Sequence, residues 1–319
     1  MKKVLVTGGT GFVGSALLRR LVGQPDLQAL AWIRRHDAVL PAGVVAVPSS
    51  SNRLFAAGSA SERIDVVIHC AGRAHVLEDG AADPLAEYRR VNVDLTLEIA
   101  RQAVSRGVRR FVFVSTIKVN GETTGELPFT AQDAPSPADA YGLSKLEAEQ
   151  GLLALSAQTG LEVVIVRSPL VYGAGVRANF LGMLHAVHRG IPLPLASIRN
   201  RRSLVALDNL IDLLVVCSTH PDAANRVLLV SDGEAVSTPD LLRAVGRALG
   251  KPARLFPMPP AWLQASAGLI GRPALFQRLC GSLALADGET RRLLSWTPPV
   301  SMDEALHLTA EYYLREMGR

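Results

Sequence analysis

The stretch TGGTGFVG, residues 7–14, joins a short apolar run to the helical pattern SALLRRLV. Its glycines have the spacing G-x-x-G-x-x-G. Glycines in such a turn let the backbone approach a pyrophosphate and let the helix pack closely on the strand, while the helix N-terminus faces the phosphates. The spacing alone is a weak signal, because glycines also end strands in ordinary turns. At the first strand of a βαβ pattern it predicts a dinucleotide-binding loop made of Gly8, Gly11, Phe12, Val13 and Gly14.

Short apolar runs alternate with longer helical patterns through most of the chain. Predicted strands occupy residues 3–7, 29–33, 44–47, 65–70, 111–115 and 162–167, and a last one, 226–230, returns to the sheet. Strands that are β-branched and apolar on both faces belong inside a parallel sheet covered by helices. The sequence therefore predicts an α/β fold, a Rossmann-type doubly wound parallel sheet with a smaller, mostly helical C-terminal substrate domain. We assign residues 1–168 and 204–232 to a dinucleotide-binding domain, and residues 169–203 and 233–319 to the substrate domain.

Composition narrows the function classes. The 319 residues are 48% hydrophobic, enough for one large core or two unequal ones. The formal charge of +5 is modest and the arginines are scattered or paired, so we expect no nucleic-acid binding. The cysteines Cys70, Cys217 and Cys280 are far apart and lack metal-ligand spacing. They indicate reduced thiols, no metal site and a cytoplasmic location.

Membrane insertion has little support in the sequence. Glycines end the apolar start MKKVLVTGG too early for a signal peptide, and no segment reaches about 18 uninterrupted apolar residues. Residues 255–276 come closest, but prolines, a glutamine and an arginine interrupt them. We predict a packed helix there and no stable membrane insertion, with loose membrane contact as the less favoured alternative.

The end of the second predicted strand bears on cofactor choice. A carboxylate at this place would accept a hydrogen bond from the ribose 2′-hydroxyl of NAD. The sequence AWIRR has Ile33 there instead, followed by Arg34 and Arg35, whose charge and fork geometry suit a 2′-phosphate. NADP(H) is therefore favoured and NAD(H) is the alternative. Two arginines that only end a solvated strand would give the same pattern.

The stretch YGLSK, residues 141–145, puts Tyr141 and Lys145 on one face of a predicted helix. A phenol with a pKa of about 10 is a poor base at neutral pH, but a nearby ammonium lowers that pKa. The pair can then carry a proton, and the lysine can also reach the ribose. A tyrosine beside a solvated lysine would explain the pair as well. FVFVSTIKVNGE favours chemistry, because it places Ser115 and Thr116 at the carboxyl end of a central strand.

With these motifs, the chain resembles the extended short-chain dehydrogenase/reductases, which include nucleotide-sugar epimerases, dehydratases and reductases. The stretches that carry the resemblance are TGGTGFVG, DVVIHCAG, VNVDLT, FVFVST, YGLSKLEAE, RSPLVYG, RRSLVALDNL and RRLLSWTPPVSMDEAL. The resemblance implies that Tyr141 is the catalytic acid/base and Lys145 its partner and ribose contact. It also implies that Thr116 binds the substrate oxygen, with Ser115 as its neighbour.

The same resemblance implies further contacts. Asn92 matches an asparagine near the active-site helix, and Ala71 and Gly72 run past the cofactor. In NRRSLVALDNL, Arg202 corresponds to an arginine that pairs with the nucleotide diphosphate, and Arg201 is the alternative.

Two other stretches bear on the substrate and the assembly. In ANFLGML, Asn179 and Phe180 are candidate uridine contacts, or else a helix cap and a core aromatic. Asn120 stands where many members have a tyrosine, so we expect it to alter the substrate pocket. Helices near residues 92–106 and 141–158 form a dimer contact in much of the family, which implies a homodimer.

The segments HCAGRAHV, STIKVNGE and LVSDGE look most similar to bacterial enzymes that reduce UDP-4-keto-6-deoxy-N-acetylglucosamine at C4. We therefore expect NAD(P)H-dependent reduction of the C4 ketone of such a UDP-sugar, in O-antigen and lipopolysaccharide biosynthesis. The second hypothesis is a UDP-hexose 4-epimerase with tightly bound NAD, since both reactions use the same residues. A non-catalytic nucleotide sensor is less favoured, because both the tyrosine and the lysine are present.

Overall fold

The computed structural model describes residues 1–34, 37–49, 63–74, 83–269, 271 and 273–318. A seven-stranded sheet in the order β3-β2-β1-β4-β5-β6-β9 lies at its centre, and every neighbouring pair of strands is parallel. Its strands are β1 (Lys2–Thr7), β2 (Leu27–Ile33), β3 (Val45–Pro48), β4 (Val66–His69), β5 (Arg110–Thr116), β6 (Glu162–Ser168) and β9 (Arg226–Leu229).

All seven predicted strands are present, each within two residues of its predicted bounds. The strand order reverses between β1 and β4, so the carboxyl ends of these two strands flank the crevice where open α/β sheets bind their ligands. The Rossmann-like, doubly wound parallel sheet predicted from the sequence is therefore confirmed.

Eleven α-helices lie in the described parts of the chain. They are α1 (Phe12–Val22), α2 (Pro84–Arg89), α3 (Leu95–Ser105), α4 (Ala140–Thr159), α5 (Ala178–His188), α6 (Leu207–Thr219), α7 (Thr238–Ala248), α8 (Pro260–Leu269), α9 (Pro273–Cys280), α10 (Gly288–Leu294) and α11 (Met302–Met317). A π-helical turn, Arg90–Asp94, connects α2 to α3 without a break. Helices α1 and α6 bury apolar side chains on one face of the sheet, and α3 and α4 do so on the other.

A second core lies beside the sheet. It joins α5, α7 and α11 to a separate parallel pair of strands, β7 (Leu170–Tyr172) and β8 (Leu204–Ala206). The sequence did not predict these two strands. Phe12, at the start of α1, packs against both the second core and the core between α1 and the sheet. The predicted division into two domains stays a prediction.

Residues 255–276 differ from the packed helix predicted for them. They contain α8 and the start of α9, and most residues of α8 are exposed to solvent. None of the helices in the described ranges is long and apolar enough to cross a bilayer. The cytoplasmic location predicted from the cysteines stays a prediction.

Candidate active site

The loop between β1 and α1 requires glycine at two positions. Gly8 has φ +70°, and a Cβ there would lie 2.7 Å from the backbone nitrogen of Ala71. A Cβ at Gly14 would lie 2.2 Å from the carbonyl oxygen of Gly8. Larger residues would therefore separate α1 from β1, or β1 from the segment that follows β4. The close approach that the glycine spacing predicted is present.

The N-terminus of α1 is suited to bind an anion. Its N-cap, Gly11, has no side chain to accept a hydrogen bond, so the first backbone N–H groups, those of Phe12 and Val13 among them, remain free for an outside acceptor. The first turn carries no acidic residue that would repel a phosphate. The residues of this loop therefore fit the pyrophosphate of a dinucleotide.

Only part of the predicted 2′-phosphate site can be placed. Arg34 follows Ile33, the last residue of β2, and is exposed. Arg35 lies outside the described residues.

The helix α4 positions the predicted catalytic pair. Asp139 caps its N-terminus, accepting a 2.7 Å hydrogen bond from the backbone N–H of Gly142, and Gly160 ends it with φ +74°. Tyr141 lies in the first turn and Lys145 one turn later on the same face. Glu149, one further turn along, completes a row of three functional side chains.

Tyr141 meets Thr116, the last residue of β5. Burial raises the pKa of the Tyr141 phenol and the charge of Asp139 adds to that rise, whereas the nearby hydroxyl of Thr116 lowers it. The resulting pKa of Tyr141 is about 12, so the phenol keeps its proton at neutral pH. The predicted lowering of this pKa by Lys145 is not found in the protein alone. The structure brings Thr116 and Tyr141 together, and their roles toward the substrate stay predictions.

Lys145 is buried against β5. Its Nζ donates a 2.7 Å hydrogen bond to the carbonyl of Val114 and lies 3.9 Å from the ring centroid of Phe113. Burial lowers the pKa of Lys145 to about 8, although the charge of Glu149 opposes this shift. A Cβ at Gly72 would lie 4.0 Å from this Nζ, so the segment predicted to pass the cofactor also passes the lysine.

Asn92 links that segment to the catalytic helix. Its Oδ1 accepts a 2.8 Å hydrogen bond from the backbone N–H of Arg73, and its Nδ2 donates a 3.0 Å hydrogen bond to the hydroxyl of Ser144 in α4. Asn92 lies in the π-helical turn, a kind of turn that is frequent at functional sites. The predicted proximity of Asn92 to the active-site helix is present.

Two other predicted site residues have different roles. Ser115 is 3% exposed, and its hydroxyl donates a hydrogen bond to the carboxylate of Glu149. Glu149 also forms a 2.6 Å ion pair with Arg167, which in turn donates a 2.9 Å hydrogen bond to Oδ1 of Asn120. In this buried network, Ser115 and Asn120 use their side chains to support the end of β5. The substrate contact of Ser115 and the effect of Asn120 on the substrate pocket stay predictions.

Sequence reasoning gave no role to Glu149 or His69. Glu149 could have been found from its spacing, four residues after Lys145 on the same helix. His69, the last residue of β4, is hydrogen-bonded to Thr7 through Nδ1 at 2.8 Å and to Thr96 through Nε2 at 3.0 Å. Burial lowers the pKa of His69 to about 3, so the ring is neutral and joins β1 to α3 beneath the glycine loop. The signal that could have pointed to His69 is that it is the polar residue that ends the otherwise apolar strand VVIH.

The structure places both arginines considered as diphosphate contacts. Arg202 is half-buried, and its guanidinium donates a 2.9 Å hydrogen bond to the carbonyl of Gly281, whereas Arg201 is exposed. Burial lowers the pKa of Arg202, and the charge of Glu122 opposes that shift. Because Glu122 is the one charged neighbour among the described residues that affects its pKa, the Arg202 guanidinium can form an ion pair with a diphosphate. The assignment of Arg202 stays a prediction.

The two candidate uridine contacts differ from each other. Phe180 has an exposed fraction of 0% and stacks on Tyr172 at 5.2 Å in the second core, which favours the core aromatic given above as its alternative. Asn179 is exposed in the first turn of α5, whose N-cap is Arg177 and not Asn179. The uridine contacts of both residues stay predictions.

Comparison with known proteins agrees with this geometry. Residues 4–230 match the NAD dependent epimerase/dehydratase family. A protein from Vibrio cholerae named UDP-glucose 4-epimerase is 42% identical, and the match covers 100% of this chain and 97% of that protein.

Solved structures share the fold. A UDP-glucuronic acid 4-epimerase from Bacillus cereus in complex with NAD has a TM-score of 0.77 at 19% identity, covering 98% of this chain and 96% of that one. A UDP-glucose 4-epimerase from Thermotoga maritima with UDP-glucose has a TM-score of 0.77 at 20% identity, covering 99% of both chains. The family match and the full-length relative together show that this chain is an enzyme of the NAD dependent epimerase/dehydratase family.

Proposed function

We propose that the chain is a UDP-hexose 4-epimerase that retains NAD through the reaction. The observation that carries this proposal is that Thr116, at the carboxyl end of β5, lies beside Tyr141 of α4, one helical turn from buried Lys145. The relative from Vibrio cholerae, 42% identical over the whole chain, is named UDP-glucose 4-epimerase and supports this choice.

Thr116, Tyr141 and Lys145 have separate roles in the proton transfer. Thr116 holds the oxygen on C4 of the sugar beside Tyr141. Tyr141 takes the hydroxyl proton as the alcohol becomes a ketone, and this step requires the phenolate. The positive charges of Lys145 and of a bound oxidised nicotinamide would lower the phenol pKa that burial raises in the protein alone. The glycine loop and Lys145 would hold NAD, which would supply a reversible hydride acceptor for C4. Tyr141 gives the proton back to the same oxygen once the ketone has exposed its opposite face. Lys145 keeps a positive charge near the phenol and orients it.

Reduction of a UDP-4-keto-6-deoxy-N-acetylhexosamine in O-antigen synthesis, the leading hypothesis from the sequence, is the second candidate. Exposed Arg34 after β2 is the observation that favours it, because it suits the 2′-phosphate of NADPH. The name of the matching family and the NAD bound by the neighbour from Bacillus cereus support NAD instead. We therefore place the epimerase with NAD first and the reductase with NADP(H) second.

A single pair of assays separates the two candidates. We expect the purified protein to interconvert UDP-glucose and UDP-galactose without net change in nicotinamide absorbance, and to release NAD equimolar with the chain on denaturation. Stoichiometric oxidation of NADPH by the UDP-4-keto-6-deoxy sugar, without hexose interconversion, would show that the protein is the reductase.

The role proposed for Arg202 has its own matched control. Arg202→Gln should raise KM for the UDP-sugar about 10–100-fold with little change in kcat, because a half-buried charge that contacts the diphosphate is lost. Arg201→Gln removes the same charge from an exposed neighbour and should leave KM nearly unchanged. Steady-state kinetics over UDP-sugar concentration measure both. Equal effects of the two variants would contradict the assignment to Arg202.

The homodimer also remains a proposal. Leu97 of α3 packs against Gly151 of α4, and Leu153 on the same helix pair is 41% exposed. Two such helix pairs could form a four-helix contact. Sedimentation velocity at micromolar protein should give twice the mass of the chain, and a monomer would exclude this contact.

A further inference from the structure

The exposed face of α8 has an unusual composition. Leu263 and Ala267 face the protein, and Leu263 packs against the second core. On the other side, Trp262 and Leu269 are 69% and 89% exposed. They are seven residues apart and therefore lie on one face, with exposed Ser266 between them. Surface helices usually carry charged residues on the solvent side, but α8 has none.

The extended segment before α8 continues this surface. Phe256 donates a 3.0 Å backbone hydrogen bond to Leu193, and Leu255 pairs with Leu193 and packs against the second core. Arg254 and Phe256 are both exposed and two residues apart in extended backbone, so they point to the same side. The guanidinium of Arg254 and the ring of Phe256 therefore face the solvent side by side.

Charge is distributed unevenly around α8. Residues 241–286 contain no acidic residue, although the whole chain has 29. The same residues contain six basic ones: Arg243, Arg247, Lys251, Arg254, Arg272 and Arg278. Arg243, Arg247 and Lys251 line one shallow groove just before Arg254 in the chain. Arg243 and Arg247 pair with acids outside the segment, but Lys251 donates to the carbonyl of His188 and Arg278 is exposed.

We propose that this surface, defined by Arg254, Phe256, Trp262 and Leu269, docks on the face of a lipid bilayer that carries anionic headgroups. Tryptophan is favoured at the boundary between headgroups and acyl chains, and exposed leucine and phenylalanine can enter the same layer. Basic side chains at its edge then meet anionic headgroups. The helix lies on the bilayer and does not cross it.

Charge complementarity selects this occupant over a second copy of the chain. A symmetric dimer through α8 would bring each basic residue close to the basic residues of the other copy. Like charges at such short distances repel, and residues 241–286 supply no carboxylate to offset them. An anionic bilayer supplies both the negative charge and the apolar layer.

The tryptophans allow a direct test in the full-length protein. Trp32 and Trp296 are 4% and 5% exposed, so of the three tryptophans, all within the described residues, Trp262 alone can report contact with lipid. Vesicles of phosphatidylcholine mixed with phosphatidylserine should shift the fluorescence emission to shorter wavelength and bring the protein down on centrifugation. Vesicles of phosphatidylcholine alone should bind about tenfold less protein.

Variants separate the apolar and basic contributions. Leu269→Glu should weaken binding to the mixed vesicles about tenfold or more, since it places a carboxylate on the docking face. Arg254→Gln should weaken it less and only on the mixed vesicles. Leu308→Glu, at a residue of α11 that is 44% exposed, is the matched control and should bind as the unmodified protein does. UDP-sugar turnover in the absence of lipid, and circular dichroism, should be unchanged in all three.

Three results would overturn the proposal. One is equal binding to neutral and mixed vesicles, or binding to neither. Another is a shift of the emission with protein concentration in the absence of lipid, which would assign the surface to self-association. The third is a Leu308→Glu variant that loses binding as strongly as Leu269→Glu.

Discussion

Tyr141→Phe is expected to lower kcat for UDP-hexose interconversion about 10³-fold, because the variant keeps the ring and loses the hydroxyl that carries the proton. Thr116 can still hold the sugar oxygen, so KM should change little. Retained NAD, measured after denaturation, would show that the cofactor site is intact. Coupled spectrophotometric assay of UDP-galactose conversion gives the rate.

A neighbouring tyrosine provides the control. The ring centroid of Tyr88 lies 6.0 Å from that of Tyr141, and Tyr88 is buried whereas Tyr141 is half-buried. Tyr88→Phe removes the same group from the same region and should keep most of the activity. A Tyr141→Phe variant with activity near that of Tyr88→Phe would remove Tyr141 from the catalytic role.

Arg167→Met is expected to lower the free energy of unfolding by about 3–5 kcal/mol, because it leaves the charge of Glu149 buried without its ion-pair partner. The side chains of Arg167 and Glu149 are 5% and 2% exposed. Ser115 still donates a hydrogen bond to Glu149, but a hydroxyl does not neutralise a carboxylate. Asn120 also loses the donor to its Oδ1. Urea unfolding followed by circular dichroism measures the change.

The same helix offers a matched exposed pair. Arg89 of α2 donates three hydrogen bonds to Glu147, two residues before Glu149, and their side chains are 48% and 26% exposed. Water and salt screen this pair, so Arg89→Met should cost far less stability than Arg167→Met. Equal losses of unfolding free energy in the two variants would mean that burial does not determine how much the Arg167–Glu149 pair contributes to stability.

The sheet could be predicted because its strands are short apolar runs separated by turn signals, as the match of all seven strands shows. β7 and β8 could not be predicted in this way. Each has three residues, fewer than a period-two or period-3.6 pattern needs to become visible. Residues 255–276 were misjudged for a different reason, since an apolar composition does not say whether a helix is covered.

The site was predictable where one motif fixes one geometry. The four-residue spacing of Tyr141 and Lys145 placed both on one helix face, and the glycine spacing placed α1 against β1. The resemblance chose Thr116 over Ser115, but residue spacing alone could not, because adjacent strand residues point to opposite faces and the pleat of β5 determines which hydroxyl lies beside Tyr141. It also could not give the sign of the pKa shift of Tyr141, which burial controls.

The π-helical turn Arg90–Asp94 limits how the length of this part of the chain can change. A π turn holds one residue more than an α turn, so a deletion of one residue there would leave an unbroken α-helix. Because the π turn takes up its extra residue locally, the helix beyond such a deletion would keep its faces. Ile99 and Ala103, with exposed fractions of 0%, would stay against the sheet. Asn92 lies inside the turn, and its hydrogen bonds to Arg73 and Ser144 would be lost. The extra residue in this turn therefore serves the placement of Asn92 and not the packing of α3.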